Sequence, residues 1–346
     1  MKLVLYSGAA LALLLALANP AAAGKEKALY SFTGGGDGAF PQANVVMDAQ
    51  GNIYGTTQSG GGSGCGGGGC GTVFKLTPRG KETLLHVFQA GSDGAFPIAG
   101  LTMDASGNLY GTTLNGGAHC QCGTVFKITP DGAESIVYAF HGGAEGSSPQ
   151  GMLVRDKKGN FYGTTASGGL DCNGFGVGCG TVFRLTPDGK HRVLYSFAGG
   201  SDGISPVTGL SLGTDGNFYG TAANGGNDCD DTGQGCGVIF QLTPKGVETV
   251  LHVFAGGNDG AYPAGGVVRD DAGNLYGTTN NGGVDCDFSG GCGVAFKLAP
   301  DGTERQLPTI PFVTADKEQG STIPKQSSQI DGSGEKSLTW DARRGC

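Results

Sequence analysis

Several features are scarce in this sequence, and each scarcity excludes a class of protein. After the first 23 residues there is no run of about 18 apolar residues, so we expect no transmembrane helix in the mature chain. Lysine and arginine total 22 against 30 aspartates and glutamates, so the basic surface that a nucleic-acid-binding protein needs is missing. No segment repeats apolar residues every 3.6 positions between helix caps, and we therefore expect almost no helix.

Clear signatures of catalysis and metal binding are also scarce. The letters Gly-x-Ser-x-Gly occur only within the repeat, at residues 199–203 and 209–213, where no helix is expected to follow and complete a nucleophile elbow. The sequence contains no Cys-x-x-Cys pair, and its five histidines do not recur beside cysteines. His86 and His252 occupy a strand position that tyrosine fills in other repeats, which indicates a packing role. The glycine-rich segments precede strands rather than helices, so they do not form a phosphate-binding loop. These absences favour a binding or structural protein over an enzyme.

The first 23 residues have the composition of a secretory signal peptide. Lys2 gives a positive start, an apolar segment follows from Leu3 to Ala18, and Ala21-Ala22-Ala23 forms a cleavage site of the Ala-x-Ala type. A retained N-terminal anchor is the alternative interpretation. We predict an exported protein that is secreted, periplasmic or on the cell surface.

What the sequence does contain is one unit repeated five times. The motif Asn-x-Tyr-Gly-Thr recurs every 52–57 residues, starting at Asn52, Asn108, Asn160, Asn217 and Asn274. Repeats of this length bury their apolar faces by stacking on their neighbours. We predict a five-repeat domain over residues 24–307. Residues 308–346 leave the pattern and are rich in Ser, Gly, Pro, Lys and Asp, so we predict a disordered or weakly docked tail.

Each unit contains four short apolar segments separated by turn residues. In the second copy we predict strands over Gly100–Asp104, Leu109–Thr113, Gly123–Thr129 and Glu134–Phe140. Adjacent apolar residues within these segments indicate sheets packed on both faces. The pattern predicts an all-β fold, a β-propeller of five four-stranded antiparallel blades, with a β-solenoid as the alternative.

The two ends of the repeat region suggest how the propeller closes. Ala28–Phe32 matches the fourth strand of the unit but arrives before any first strand, whereas the fifth copy ends in a degraded equivalent, Thr303–Leu307. We predict that residues 28–32 form the outer strand of the fifth blade and close the ring, which hides exposed strand edges. A chain closed in this way is expected to be a monomer.

Ten of the eleven cysteines occur as one pair in each repeat. An exported chain with five local pairs favours five disulfides, each closing one loop. The pairs are Cys65 with Cys70, Cys120 with Cys122, Cys172 with Cys179, Cys229 with Cys236, and Cys286 with Cys292.

The segments Asp-x-x-Gly-Asn-x-Tyr-Gly-Thr-Thr and Gly-Thr-Val-Phe-Lys-Leu-Thr-Pro closely resemble the GloVer tandem repeat of exported bacterial choice-of-anchor proteins. The resemblance extends over about residues 29–302 in five copies. It implies a secreted or cell-surface protein and brings no established activity with it. The strand–turn–strand segments also resemble, at the level of fold, the blades of NHL-type propellers.

An acidic residue recurs in the connection between repeats. The five acids are Asp37, Asp93, Glu145, Asp202 and Asp259. Five carboxylates around one channel mouth would repel one another unless a cation lay among them, so a Ca²⁺ site is one interpretation. The alternative is ordinary Asp-Gly turn chemistry, in which the side chain bonds its own backbone.

Two functions are compatible with these features. The first is a binding or structural module at the cell surface whose partner is a glycan or an envelope protein, held by the face that carries the cysteine loops. The second is an exported hydrolase or lyase that acts on a polysaccharide or a lactone through carboxylates and Ca²⁺. Close repetition of the acid position favours the first.

Overall fold

A computed structural model of the protein describes residues 27–172, 178–226, 234–283 and 291–306. These residues belong to one compact unit, Met1–Leu307, and a second unit spans Pro308–Cys346. The predicted signal peptide and the predicted tail lie outside the described residues. Within the described ranges, no helix is long and apolar enough to cross a membrane.

The described chain forms five sheets of four strands each, and in every sheet the strands follow chain order. The first sheet contains β1 (Val46–Met47), β2 (Ile53–Thr57), β3 (Thr72–Leu76) and β4 (Glu82–Val87). The second contains β5 (Thr102–Met103), β6 (Leu109–Thr113), β7 (Thr124–Ile128) and β8 (Glu134–Ala139). The third contains β9 (Val154–Arg155), β10 (Phe161–Thr165), β11 (Thr181–Leu185) and β12 (His191–Ser196). The fourth contains β13 (Ser211–Leu212), β14 (Phe218–Ala222), β15 (Val238–Leu242) and β16 (Glu248–Val253). The fifth contains β17 (Val268–Arg269), β18 (Leu275–Thr278), β19 (Ala295–Leu298) and β20 (Glu304–Gln306).

All strand pairs are antiparallel, as the tight turns within each repeat require. The described residues contain no α-helix, only short 3₁₀ turns at Cys65–Gly67, Gly143–Glu145, Gly200–Asp202 and Gly257–Asp259.

The turn between the first two strands of a sheet explains the Asp-x-x-Gly-Asn-x-Tyr motif. In the second sheet one Asp104 oxygen accepts the backbone N–H groups of Ser106 and Asn108, each at 2.9 Å. The other oxygen accepts the Asn108 side-chain amide at 2.9 Å and the Tyr110 hydroxyl at 3.2 Å. Gly107 has a φ of 80°, which a residue with a side chain rarely adopts. The motif is therefore a hydrogen-bonded turn centred on one carboxylate.

The glycine of Tyr-Gly-Thr-Thr makes room for an aromatic ring in the neighbouring strand. A Cβ atom at Gly163 would lie 2.7 Å from the Cζ atom of Phe183 and 2.9 Å from a methyl carbon of Leu153. On the same strand, the Thr165 and Thr181 hydroxyls lie 2.8 Å apart and join β10 to β11. These contacts recur in other sheets. The repeated glycine and threonines of the Tyr-Gly-Thr-Thr motif are therefore explained by packing and hydrogen bonding inside each sheet.

Successive sheets pack face to face through a second set of repeated residues. A phenylalanine after each fourth strand meets the edge of a third-strand phenylalanine in the next sheet, with ring centroids 5.1–5.3 Å apart. The pairs are Phe88–Phe126, Phe140–Phe183, Phe197–Phe240 and Phe254–Phe296. Second-strand threonines add hydrogen bonds between sheets, as from the Thr164 hydroxyl to the Thr208 carbonyl at 2.8 Å.

This arrangement confirms the predicted β-propeller. Strands pair only within one repeat, whereas the apolar faces of consecutive repeats pack against each other. A β-solenoid would instead pair strands of successive repeats.

The closing strand differs from the prediction. Residues 28–32 form no strand, and β20 occupies the fourth position of the fifth sheet. The Phe32 ring instead lies 5.0 Å from the Phe74 ring of the first sheet, which reproduces the phenylalanine contact between consecutive sheets. β20, and not residues 28–32, pairs with the third strand of the fifth sheet. The N-terminal segment therefore makes a packing contact but not the predicted strand pairing.

Candidate functional site

Four of the five acids predicted as metal ligands lie one at each junction between consecutive sheets, and Asp37 lies between the N-terminal segment and the first sheet. Each accepts a hydrogen bond from a side chain seven residues earlier, which for all but Asp37 belongs to the fourth strand of the preceding sheet. The pairs are Tyr30–Asp37, His86–Asp93, Tyr138–Glu145, Tyr195–Asp202 and His252–Asp259. Four of the acids also accept a backbone N–H four residues earlier, as Asp93 does from Gln89 at 2.6 Å. The acids are thus held against the outermost strands and bonded within separate turns.

Sequence reasoning missed a third member of each junction. The first residue of the fourth strand in the following sheet has a buried polar atom with no hydrogen-bond partner among the described residues. These residues are Glu82, Glu134, His191, Glu248 and Glu304. Their regular position five residues after the threonine of the Thr-Pro turn was a visible signal, but an acid after a turn is common enough to pass as a solvated side chain.

These third members have perturbed proton affinities. Burial, and then the nearby Asp202 carboxylate, raise the pKa of Glu248 to about 7. Burial and the charge of Asp37 raise the pKa of Glu82 in the same way. Burial lowers the pKa of His191 to about 4, and its ring stacks on Tyr138 with centroids 4.5 Å apart. The raised pKa values shift the glutamates toward the neutral form, which reduces the charge repulsion that two close carboxylates would otherwise produce.

One junction brings together groups that are able to hold a metal ion. His86, Asp93 and Glu134 each offer a ligand atom, and these atoms lie within 4.8 Å of one another. His86 Nε2 is 3.0 Å from an Asp93 oxygen. An imidazole with two carboxylates suits a transition metal better than Ca²⁺, which prefers oxygen ligands throughout. At other junctions a tyrosine hydroxyl makes the same bond to the acid. Hydrogen bonding to Asp93 is therefore enough to explain why His86 occupies this position.

The cysteine loops contain disulfides where the structure describes them. Cys65 is bonded to Cys70, Cys120 to Cys122, and Cys172 to Cys179. Cys236 and Cys292 are also disulfide-bonded, and their predicted partners, Cys229 and Cys286, lie outside the described residues. Cys70, Cys179 and Cys236 are almost fully buried in the cores between sheets.

A large cleft lies between the third and fourth sheets, on the face that carries the Asp-centred turns. Its volume is about 790 Å³, which is within the ~300–1,000 Å³ typical of small-ligand sites. Its walls include a buried aromatic pair, Tyr162 and Phe218, whose ring centroids are 4.3 Å apart. Asn160 and Arg184 contribute polar groups beside them. The cleft on the cysteine-loop face, which Cys122 and Asp171 line, is smaller, about 320 Å³.

The 790 Å³ cleft coincides with a break in the repeat. Where the other four sheets have an aspartate at the start of the turn, the fourth sheet has Gly213. Asp215, two residues later, takes over the bond to the Tyr219 hydroxyl. A Cβ atom at Gly213 would lie only 2.4 Å from an Asp215 oxygen, so the wall cannot carry both side chains unchanged. The carboxylate of this turn therefore comes from position 215, which does not line the cleft, instead of position 213, which does.

The charged residues that line the cleft are mostly cationic, in a chain whose formal net charge is −8. Three cationic side chains, Lys157, Lys158 and Arg184, line it together with one acid, Asp156. Asp156 is engaged, since it accepts the Tyr162 hydroxyl at 3.0 Å and the Asn160 amide at 2.8 Å. The Arg184 Nε atom is buried and has no partner among the described residues. One terminal nitrogen donates to the Asn160 side-chain oxygen at 3.4 Å, which leaves the other N–H groups of the guanidinium for an anionic or strongly polar ligand.

Comparisons with known proteins identify the repeat. The model of the Gloeobacter/Verrucomicrobia repeat family matches residues 17–177 and 173–334. No curated protein is significantly similar to the chain.

Among solved structures, a gluconolactonase from Xanthomonas campestris is similar, with 15% identity, a TM-score of 0.45, and coverage of 78% of this chain and 76% of that one. A luciferin-regenerating enzyme is similar with 16% identity, a TM-score of 0.44, and coverage of 79% and 76%. Likenesses this low carry no inference about activity. The family match covers most of the sequence and confirms the resemblance that the repeated motifs indicated. The chain belongs to the Gloeobacter/Verrucomicrobia repeat family.

Proposed function

We propose that the protein is an exported, disulfide-stapled binding module and that the cleft between the third and fourth sheets binds an acidic glycan. The observation that carries this proposal is the cleft itself, which combines an exposed apolar side chain, Leu212, with cationic groups at the turn that departs from the repeat. Sugar rings pack on apolar surfaces, and a guanidinium binds a carboxylate through two parallel hydrogen bonds. A uronic-acid oligosaccharide presents both features.

Export of the protein supports a glycan as the binding partner. The disulfides of the described loops form and persist in oxidising compartments outside the cytosol. Together with the signal peptide that the sequence predicts, they favour a protein that meets envelope or extracellular polysaccharide. A glycan fits the cleft better than an envelope protein does, because protein partners bind large surfaces rather than one enclosed cleft.

Binding is favoured over hydrolysis by the state of the carboxylates. A hydrolytic acid needs a carboxyl group that stays protonated near neutral pH. Burial tends to raise the pKa of Asp156, but hydrogen bonds from Asn160, Tyr162 and Lys158 outweigh it and lower the pKa. The five junction acids do not supply a shared catalytic set either, because each is bonded in its own turn.

Calorimetric titration of the mature protein with oligogalacturonate and with a neutral cello-oligosaccharide tests the proposal. We expect the acidic oligosaccharide to bind and the neutral one to bind at least tenfold more weakly. Arg184→Gln should weaken binding about tenfold or more, because it removes a charged hydrogen bond of ~1.5–3 kcal/mol. The matched control is Lys127→Gln, at the equivalent position of the second sheet, and it should leave binding unchanged.

A second variant restores the repeat in the wall of the cleft. Gly213→Asp combined with Asp215→Ala recreates the arrangement of the fifth sheet, Asp270-Asp271-Ala272. Because it moves the carboxylate from position 215 to position 213, which lines the cleft, we expect it to abolish binding of the acidic oligosaccharide while the protein stays folded. Binding that survives this variant would mean that the ligand lies elsewhere.

A further inference from the structure

The first sheet exposes apolar residues that the interior sheets bury. The residue just before the first strand faces the preceding sheet, and its side chain is 1–6% exposed in the second to fifth sheets. The residues at this position are Leu101, Leu153, Leu210 and Val267. The equivalent residue of the first sheet, Val45, is 55% exposed, and its neighbours Phe40 and Met47 are 65% and 64% exposed.

The fifth sheet exposes the opposite face. A third-strand position that faces the following sheet is fully buried in the first four sheets, at Val73, Val125, Val182 and Ile239. The equivalent residue, Ala295, is exposed. The same holds for the second-strand threonine, which is at most 3% exposed in four sheets but exposed at Thr278. Val268, in the first strand, is 66% exposed.

These two faces are the unpaired halves of one interface. In the interior, Leu101 is covered by Val73 and Phe88 of the preceding sheet, in a single apolar cluster. Across the next junction the Thr102 hydroxyl bonds the Leu153 carbonyl. Val268 occupies in the fifth sheet the position that Thr102 occupies in the second, and Val45 occupies in the first sheet the position that Leu153 occupies in the third. If a first sheet followed a fifth sheet in the same way, Val268 and Val45 would be in contact.

The outer edge of the first sheet also resembles an interior junction. Phe32 already lies in the place that the fourth-strand phenylalanine of a preceding sheet would occupy. The first sheet therefore brings an outer aromatic segment of its own to any sheet that packs on its exposed face.

We propose that the first sheet of one copy packs on the fifth sheet of a second copy, in a head-to-tail interface. The argument is complementarity, since the chain buries the same pair of faces four times between its own consecutive sheets. Both faces are exposed in one and the same molecule, so in this structure they do not cover each other. An interface between two different surfaces is heterologous and leads to closed rings or to chains of copies. Association of this kind replaces the monomer expected from the sequence.

Analytical ultracentrifugation of the full mature chain between 1 and 100 µM tests the proposal. We expect association that rises with concentration, and a dissociation constant that Val45→Glu weakens at least tenfold because the charge must be buried without a partner. The matched control is Val247→Glu, since Val247 is 60% exposed but lies outside both faces. It should associate as the unchanged protein does.

A charge pair separates association between copies from closure within one chain. Val45→Lys alone and Val268→Glu alone should both stay monomeric, whereas an equimolar mixture should form complexes containing both variants. A protein that is monomeric at 100 µM overturns the proposal. So does a mixture that remains monomeric, since the faces would then close within one chain or stay open.

Discussion

The junction between the third and fourth sheets holds two carboxyl groups, Asp202 and Glu248, within one partly buried site. One oxygen of Asp202 accepts the Tyr195 hydroxyl at 2.8 Å and the Ala198 N–H at 2.9 Å. Glu248 lies in a strand that buries much of its side chain and keeps one oxygen without a partner among the described residues. The pair therefore stabilises the fold best when Glu248 carries a proton.

This difference between the two carboxyl groups predicts a pH dependence of stability. The pKa of Glu248 is raised to about 7 in the folded protein by burial and by Asp202, whereas an unfolded chain titrates near ~4.3. A raised carboxyl pKa contributes stability below the unfolded value and loses it as the pH rises through about 7. Glu248→Gln should raise the free energy of unfolding by about 1–2 kcal/mol at pH 8, less than the full shift implies because water screens a half-buried charge. At pH 4.5 it should have almost no effect.

Urea denaturation at pH 4.5, 6 and 8 measures this difference. Asp271→Asn, which removes an exposed acid elsewhere, controls for the change in net charge. An equal gain from Glu248→Gln at all three pH values would show that packing, rather than ionisation, is responsible.

Within each element, the close contact between a second-strand glycine and a third-strand phenylalanine determines how tightly the sheet packs. Gly163→Ala places a methyl group 2.7 Å from the Phe183 ring, which is fully buried and cannot move aside freely. We expect a loss of about 1–3 kcal/mol in the free energy of unfolding. Gly36→Ala is the control, because a Cβ atom there would meet nothing within 4 Å. Chemical denaturation of the two variants compares them, and equal stabilities would contradict the packing argument.

The cysteine loops are elements whose covalent bonds lie outside the strand ladders. Cys65 and Cys70 are five residues apart, and a ring of that size is worth about 2 kcal/mol on the loop-entropy model. Mild reduction should therefore lower the melting temperature but leave the β-sheet circular dichroism signal at 25 °C unchanged. Loss of that signal on reduction at 25 °C would mean that the loops hold the sheets together.

The strands themselves follow closely from the repeat. The predicted segment Leu109–Thr113 is identical to β6, because turn residues bound it on both sides. The predicted first strand, Gly100–Asp104, shrinks to Thr102–Met103, since Asp104 already bonds the turn and Leu101 packs on the preceding sheet. The local sequence pattern shows where a strand lies, but the hydrogen bonds and packing contacts that end the strand are visible only in the structure.

The site was harder to predict because it depends on partners in other repeats. The junction acids were recognisable from their recurrence, yet Glu134 lies about forty residues beyond Asp93 and meets it only when two sheets pack. The cleft was recognisable in principle from one departure, Gly213 in place of an aspartate. Its meaning required the structure, which shows that Asp215 accepts the tyrosine hydroxyl in place of the missing residue while position 213 in the wall of the cleft carries no side chain.

At the scale of the whole molecule, a chain of stacked sheets has a stability that varies along its length. Each sheet contacts only its neighbours, so the interior sheets are supported on two faces and the end sheets on one. β10, in the third sheet, is buried at all five residues, whereas β18, in the fifth, is buried only at Leu275. The end sheets are therefore expected to open more often than the middle of the chain.

Hydrogen exchange followed by mass spectrometry measures this gradient and links it to association. At 1 µM we expect amide hydrogens of β2 and β18 to exchange at least tenfold faster than those of β10, because local opening exposes fewer apolar contacts at the ends. At 100 µM the head-to-tail interface would cover Val45 and Ala295, so exchange in β2 and β18 should slow while exchange in β10 stays constant. Val45→Glu should remove the dependence on concentration without changing the gradient at 1 µM. If the difference in exchange between the end sheets and β10 is the same at both concentrations, the end sheets remain uncovered in solution. If exchange is uniform along the chain at 1 µM, the first and fifth sheets already support each other within one chain.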